Sequence, residues 1–342
     1  MKTRAAILVE LKKDLVIDEI EIPSLQAGQV LVKMIATRIC GSQLGEIDGV
    51  KGEDNFLPHL LGHEAAGTVL EVGPAVTQVK AGDRVVCHWR PGRGVAVHAP
   101  KYSWRGRTVN AGHITTFQEI AVLSENRLTV VPPETDPEIC CLMADTITTG
   151  FGVINNNAQV KIGESVVVVG VGGIGLGTVL GARLAGAHPI IAVDKFDHKL
   201  KRALATGATH AINAAAEDFS AVAEKILGGK ADVVIDGTGR PDVLEKLFAL
   251  AGPQGRCVGV GVMPHDQKLA LHTLPLHFGK VLTGSHGGES QPAVEIPRYL
   301  RMIRDGRIDL SSFVSHRCKL DEINHAIARM RSGESIHTIV HL

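Results

Sequence analysis

The stretch Ser165-Val166-Val167-Val168-Val169-Gly170-Val171-Gly172-Gly173-Ile174-Gly175 decides how this chain folds. Its first five residues form a short, apolar, β-branched run, the pattern of a strand buried on both faces. The next six, Gly170 to Gly175, are a GxGxxG turn. Small and apolar residues from Ile174 to Leu184 read as the following helix, and Ile190-Ile191-Ala192-Val193 as a second strand ending on Asp194. The early glycines let backbone turn and approach a pyrophosphate, and the last lets helix and strand pack closely. The helix N-terminus then offers free N–H groups to the anion. Asp194 is placed to accept hydrogen bonds from a ribose 2′-hydroxyl, and its charge would repel a 2′-phosphate, so the expected cofactor is NAD rather than NADP. A glycine turn alone is common; strand, turn, helix, strand and terminal acid in one register carry the reading.

Outward from this stretch, strand and helix continue to alternate. Strands are expected at 166–169, 190–193, 232–235, 256–260 and 280–283, with helices such as His198 to Thr206 and Val243 to Leu250 between them. That alternation predicts a doubly wound parallel sheet. The first 150 residues read differently. Val30 to Ile35, Gly67 to Val72 and Arg84 to Val86 are short strand candidates punctuated by Gly, Pro and Asp. After about Ser285 the pattern changes again, to amphipathic helices at Glu295 to Asp305 and Asp321 to Arg331, the second stopped by Gly333.

The chain has 342 residues, enough for two cores, and its 36 Lys and Arg balance its 36 Asp and Glu. Such a balance gives no general attraction to nucleic acid or an anionic membrane. No apolar run approaches the ~20 residues of a spanning helix, and the opening Met1-Lys2-Thr3-Arg4 leads directly into a strand-like Ile7-Leu8-Val9. The six cysteines show no disulfide-framework spacing. A cytoplasmic protein without nucleic-acid or membrane partners is expected.

Three separated stretches carry metal-binding chemistry. Ile39-Cys40-Gly41-Ser42 offers a thiol, Leu61-Gly62-His63-Glu64 an imidazole beside a carboxylate, and Met143-Ala144-Asp145-Thr146 a second carboxylate. All are zinc ligand types, and three protein ligands leave a catalytic position open. Their spacing is too wide for a local rule. Taken singly, each reads more readily without a metal: Cys40 as a small core residue, His63 as a hydrogen-bonded loop residue and Asp145 as a helix cap.

GHEAAGTVLEVG (62–73), with CGS (40–42) upstream, GDRVV (82–86) downstream and TTGFG (148–152) before the glycine turn, resembles the zinc-dependent medium-chain alcohol and polyol dehydrogenases. The resemblance covers nearly the whole chain, including Leu320-Asp321-Glu322-Ile323-Asn324. It implies an α/β protein made of a GroES-like β-rich catalytic domain, residues 1–149 and 287–342, and a Rossmann NAD-binding domain, residues 150–286. It also implies a homodimer or homotetramer. By motif matching it puts Cys40, His63 and Asp145 on one catalytic zinc, with Glu64 able to approach the metal, and Ser42 in the proton relay. Cys140 and Cys141 are out of register with the third ligand. Thr149 falls against the nicotinamide, Lys199 near the adenosine ribose, and Trp89 and Phe117 on the substrate pocket. Gly170, Gly172, Gly173, Ile174, Gly175 and Asp194 hold the dinucleotide.

Several positions depart from the family pattern. No cysteine follows Cys87 until Cys140, so the family's structural zinc is expected to be absent. Arg90, Arg93, Lys101, Arg105 and Arg107 make that lobe basic, as a solvated loop, an anion-attracting rim or a subunit contact. Gly45 replaces a histidine that ends the proton relay, and Gln43 an aspartate behind the ligand histidine. His337 stands where some relatives set an arginine on the pyrophosphate, and Gly41 replaces another such arginine. The expected activity is reversible oxidation of an alcohol by NAD, with a polyol, cyclitol or sugar derivative favoured as substrate. A zinc-free quinone or enoyl reductase and a non-catalytic dinucleotide-binding protein are the alternatives.

Overall fold

The computed structural model describes residues 1–50 and 52–342. The chain forms two compact units: Met1–Asp145 with Gln291–Leu342, and Thr146–Ser290. These divisions fall four residues from the expected joins at 149/150 and 286/287. The first lies inside a helical stretch that runs from 137 to 157 without a break, so composition marks no boundary there.

In the first unit, β1 (Lys2–Leu8) and β2 (Val16–Glu21) pair antiparallel, and the long β3 (Gln29–Ile39) leads into helix α1 (Gly41–Ile47). Then follow β4 (His59–Leu60), β5 (Glu64–Val72), β6 (Arg84–His88), β7 (Lys101–Trp104), β8 (Arg107–Asn110), β9 (Ile120–Ser124), β10 (Leu128–Val130) and α2 (Pro137–Leu142). Strands β1, β2, β7, β8 and β4 close a barrel. Val30, Val32 and Met34 of β3 are buried because that strand is central. It pairs with β5 along one edge and with β9 along the first half of the other.

The second unit begins with a π-helical turn (Met143–Ile147, shared with the first unit) that runs into α3 (Thr148–Gly152). The expected alternation follows: β11 (Val166–Val169), α4 (Gly173–Leu184), β12 (Ile190–Asp194), α5 (Asp197–Thr206), β13 (His210–Asn213), α6 (Phe219–Leu227), β14 (Ala231–Asp236), α7 (Pro241–Leu250), β15 (Ala251–Gly259), α8 (Leu274–His277) and β16 (Val281–Gly284). All six strands are parallel, in the order β13-β12-β11-β14-β15-β16. This is the doubly wound order whose direction reverses beside the first strand, where ligands bind at the strands' carboxyl ends. Val166 to Val169 are buried on both faces, which is why that run reads as uninterrupted valine.

The chain then returns through α9 (Pro292–Arg304), β17 (His316–Lys319), α10 (Ile323–Ser332) and β18 (Thr338–His341). Strand β18 pairs antiparallel with the free half of β3, Thr338 opposite Ile39 and Ile339 opposite Arg38. Ile323, Ala326 and Ile327 of α10 pack with Ile39, Leu61 and Phe117 in one core. The C-terminal segment therefore buttresses the strand that ends at Cys40. Among the described residues, no helix is long and apolar enough to cross a membrane.

Candidate metal centre

Antiparallel pairing of β3 and β5, with Thr37 opposite Ala65, brings the end of one strand to the start of the other. Cys40 follows β3 and caps α1, while His63 immediately precedes β5 and Glu64 opens it. Gly62 aims the histidine. Its φ is +91°, and a Cβ there would lie 2.4 Å from Thr116 Oγ1 and 2.6 Å from Phe117 Cδ1. Asp145 comes from the π-helical turn after α2, a local widening of the helix that is frequent at functional sites.

Ligand atoms of Cys40, His63, Glu64 and Asp145 all lie within 4.8 Å of one another, and no other such group is found among the described residues. Cys40 Sγ is 3.8 Å and His63 Nε2 3.6 Å from Asp145 Oδ2. A tetrahedral ion with N, O and S ligands at about 2.0–2.3 Å separates neighbouring ligand atoms by about 3.3–3.8 Å, so thiol, imidazole and carboxylate fit zinc in number and spacing. Burial works against a charge on His63, yet acceptors on Asp145, Cys40 and Glu64 raise its pKa well above the ordinary value. Nε2 thus faces a nest of negative charge that a cation can occupy in the proton's place.

The ligands are held from behind. Gln43 accepts the Cys40 backbone N–H through Oε1 at 2.7 Å, and its amide nitrogen is 2.5 Å from His63 Nδ1. That leaves Nε2 as the ring atom facing the site. The Ser42 hydroxyl accepts from the same amide nitrogen at 3.3 Å. Trp89, expected on a pocket wall, donates its indole N–H to Asp145 Oδ1 at 2.9 Å, so Asp145 turns Oδ2 toward Cys40 and His63. Arg38 sits behind Glu64 and is 1% exposed. Burial opposes its charge, but Glu64, Cys40 and Asp145 more than offset this and hold it protonated.

Two expected positions lie in the buried interior. Phe117 is 1% exposed and belongs to the core with Ile39, Leu61 and Ile323, where its ring lies beneath Gly62. His337 is completely buried, stacked on Phe313 at 5.6 Å with Nδ1 3.2 Å from Arg38 Nη1. Sequence reasoning missed Arg38 altogether. Its one signal was an arginine in a largely apolar strand, two residues before Cys40.

The basic lobe is anchored by hydrogen bonds and an ion pair. Residues 89–100 have no regular structure, and the Glu125 carboxylate accepts N–H groups from Thr77 (2.5 Å), Gln78 (2.6 Å) and Val95 (2.7 Å). Arg105 of the lobe is paired with Asp18 at 2.6 Å. Cys87 is fully buried, and burial pushes its thiol pKa up, as for a core residue.

In the second unit the glycine turn has the geometry its sequence implies. Gly170 has φ +86°, Gly172 caps α4, and Gly173 and Ile174 open its first turn. A Cβ on Gly175 would lie 2.2 Å from the Gly170 carbonyl oxygen. Asp194 ends β12, and its two oxygens accept the N–H groups of Val171 and Phe196, each at 3.1 Å. Lys199 lies 4.8 Å over the Phe196 ring, its pKa lowered by burial against the pull of Asp194. Thr149 is buried in α3.

Residues 26–133 match the alcohol dehydrogenase GroES-like domain, and residues 173–304 the zinc-binding dehydrogenase domain. The chain is 34% identical over 369 residues to an S-(hydroxymethyl)glutathione dehydrogenase of Synechocystis sp., covering 100% of both. It is 32% identical over 376 residues to an alcohol dehydrogenase class-3 of Cereibacter sphaeroides, covering 99% of this chain and 100% of the relative. Benzyl alcohol dehydrogenase from Acinetobacter calcoaceticus has a similar structure, with a TM-score of 0.90 and 27% identity over 100% of this chain and 99% of that one.

Proposed function

Because this chain belongs to the zinc-dependent medium-chain alcohol dehydrogenase family, we propose that Cys40, His63 and Asp145 hold its one catalytic zinc and that no structural zinc is needed. The chain is an NAD-dependent alcohol dehydrogenase. The observation that carries the assignment of the site is the convergence of one thiol, one imidazole nitrogen and one carboxylate oxygen at tetrahedral spacing.

When bound, zinc supplies a Lewis acid that makes a coordinated hydroxyl far more acidic, as with water, whose pKa falls from roughly 16 to about 7 in favourable sites. The charges of Cys40 and Asp145 would neutralise a dication, so that a neutral alcohol could be accepted beside it. Ser42 accepts the substrate's proton. Gly45 has no side chain to receive it next, so the partly exposed Ser42 hands the proton to water. Gly170, Gly172, Gly173 and the start of α4 hold the dinucleotide pyrophosphate, Asp194 holds the adenosine ribose with Lys199 beside it, and Thr149 lies toward the nicotinamide. Trp89 fixes Asp145 and narrows the substrate's approach.

For the substrate we favour a secondary alcohol bearing further hydroxyls. The names of the relatives support a second reading, S-(hydroxymethyl)glutathione, whose carboxylates suit the basic residues Arg93, Lys101 and Arg107. NAD-linked turnover across polyols, sugar alcohols, benzylic alcohols and formaldehyde with glutathione separates these. In the same assay Asp145→Ala is expected to lose turnover and most of its zinc while still binding NAD. An Asp145→Ala protein with full activity and no metal would remove the mechanism.

A further inference from the structure

Arg38 is the largest side chain that the described residues bury completely. Its Nε donates to Glu64 Oε2 at 2.6 Å and its Nη2 to Glu64 Oε1 at 2.5 Å, a two-pronged pair. Its Nη1 faces His337 Nδ1 at 3.2 Å, and pairing of β18 alongside β3 fixes its backbone. Glu64 is itself fully buried, and its Oε1 is also 3.3 Å from His63 Nε2. One carboxylate oxygen therefore stands between two positive charges, the guanidinium on one side and the metal position on the other.

Building on the zinc site proposed above, we propose that Arg38 is a positioning residue that holds Glu64 off the metal and so keeps the substrate's coordination position open. Cys40 and Asp145 already neutralise a divalent ion. A third anion would leave the centre net negative, just where the substrate oxygen must lose a proton. Glu64 nevertheless cannot stay buried and charged without a cation, because an uncompensated buried charge is strongly destabilising. Arg38 supplies that cation from the buried interior, where its Nη1 faces His337. Without it, the nearest cation is the metal itself.

The test uses Co²⁺ in place of zinc, read by its visible absorption and by the rate at which a chelator removes it. Arg38→Gln is expected to shift the visible cobalt bands as Glu64 enters the open position, to slow metal loss by about tenfold, the order of effect of residues behind metal ligands, and to lower turnover. Adding Glu64→Gln to that variant is expected to restore the wild-type spectrum and the wild-type rate of metal loss, which a merely structural role for Arg38 does not predict. A folded Arg38→Gln protein with unchanged spectrum and unchanged metal loss overturns the proposal. Should Arg38→Gln not fold, Arg38→Lys replaces the fork by a point contact that frees one Glu64 oxygen. The same spectral shift, reversed by Glu64→Gln, is then expected, and an unchanged spectrum overturns the proposal. A wild-type chain that holds no cobalt overturns the zinc reading itself, and this one with it.

Discussion

Gln43 has one carboxamide and two neighbours that each require an acceptor. The Cys40 N–H already uses Gln43 Oε1, and the Gln43 amide nitrogen faces His63 Nδ1. A neutral imidazole that gives Nε2 to a metal carries its proton on Nδ1, where it too must donate. Gln43 can turn its oxygen to one of these donors only by abandoning the other. A glutamate presents two acceptor oxygens, so Gln43→Glu is expected to satisfy both and to slow metal loss to a chelator about tenfold, within the range known for residues behind metal ligands. Metal loss that is unchanged or faster in Gln43→Glu would show that the amide is not the weak point. Cys40, His63 and Asp145 stand too far apart in the sequence for a local rule, and only the family resemblance suggested that they meet. The roles of Arg38 and the Trp89 indole were not legible, since each acts on a residue distant in sequence: Arg38 on Glu64, Trp89 on Asp145.

Among the elements, the one-turn helix Glu125–Arg127 has an influence out of proportion to its length. The Glu125 carboxylate holds the loop that carries Trp89, through Val95, and the Asn126 carbonyl oxygen accepts Gly92 N–H at 2.7 Å. Burial would raise the Glu125 pKa, but the amides of Gln78, Thr77 and Val95 bring it below the ordinary glutamate value. A carboxyl with a lower pKa folded than unfolded adds stability that is complete above its unfolded pKa and is lost as pH falls through its folded pKa. Acid is therefore expected to loosen this loop, seen as a change in tryptophan emission. Glu125→Gln should lack that step and lose about 1–3 kcal/mol at neutral pH, because it turns donors toward buried N–H groups. A Glu125→Gln protein with the same acid step would assign it to another carboxyl. Elements such as β11 and β12 were readable because burial on both faces writes itself into a run of valine and isoleucine. The two-residue β4 and the π-helical turn at Asp145 were not, because pairing with β1 and an extra residue per turn leave no periodic trace.

At the scale of the whole molecule, each unit has its own core and its own ligand chemistry, and the sequence showed one far better than the other. The second unit is consecutive in the chain, so its alternation is local. The first is closed by β18 on β3, Thr338 against Ile39, a pairing that local patterns cannot display and that the family resemblance alone suggested. Both tryptophans, Trp89 and Trp104, lie in the first unit, as do all four residues of the metal cluster. Tryptophan emission therefore reports that unit alone, while calorimetry reports both. A ligand that binds only folded protein stabilises it by about 2.7 kcal/mol at a hundred times its Kd. Removing zinc with a chelator should therefore lower the midpoint of the tryptophan-detected transition and leave a calorimetric component that tryptophan does not see in place. NAD should move that second component upward, through the glycine turn and Asp194. If chelation shifts the entire calorimetric trace as one transition, the two cores unfold together, and the metal stabilises the whole chain through their cooperativity rather than the first unit alone.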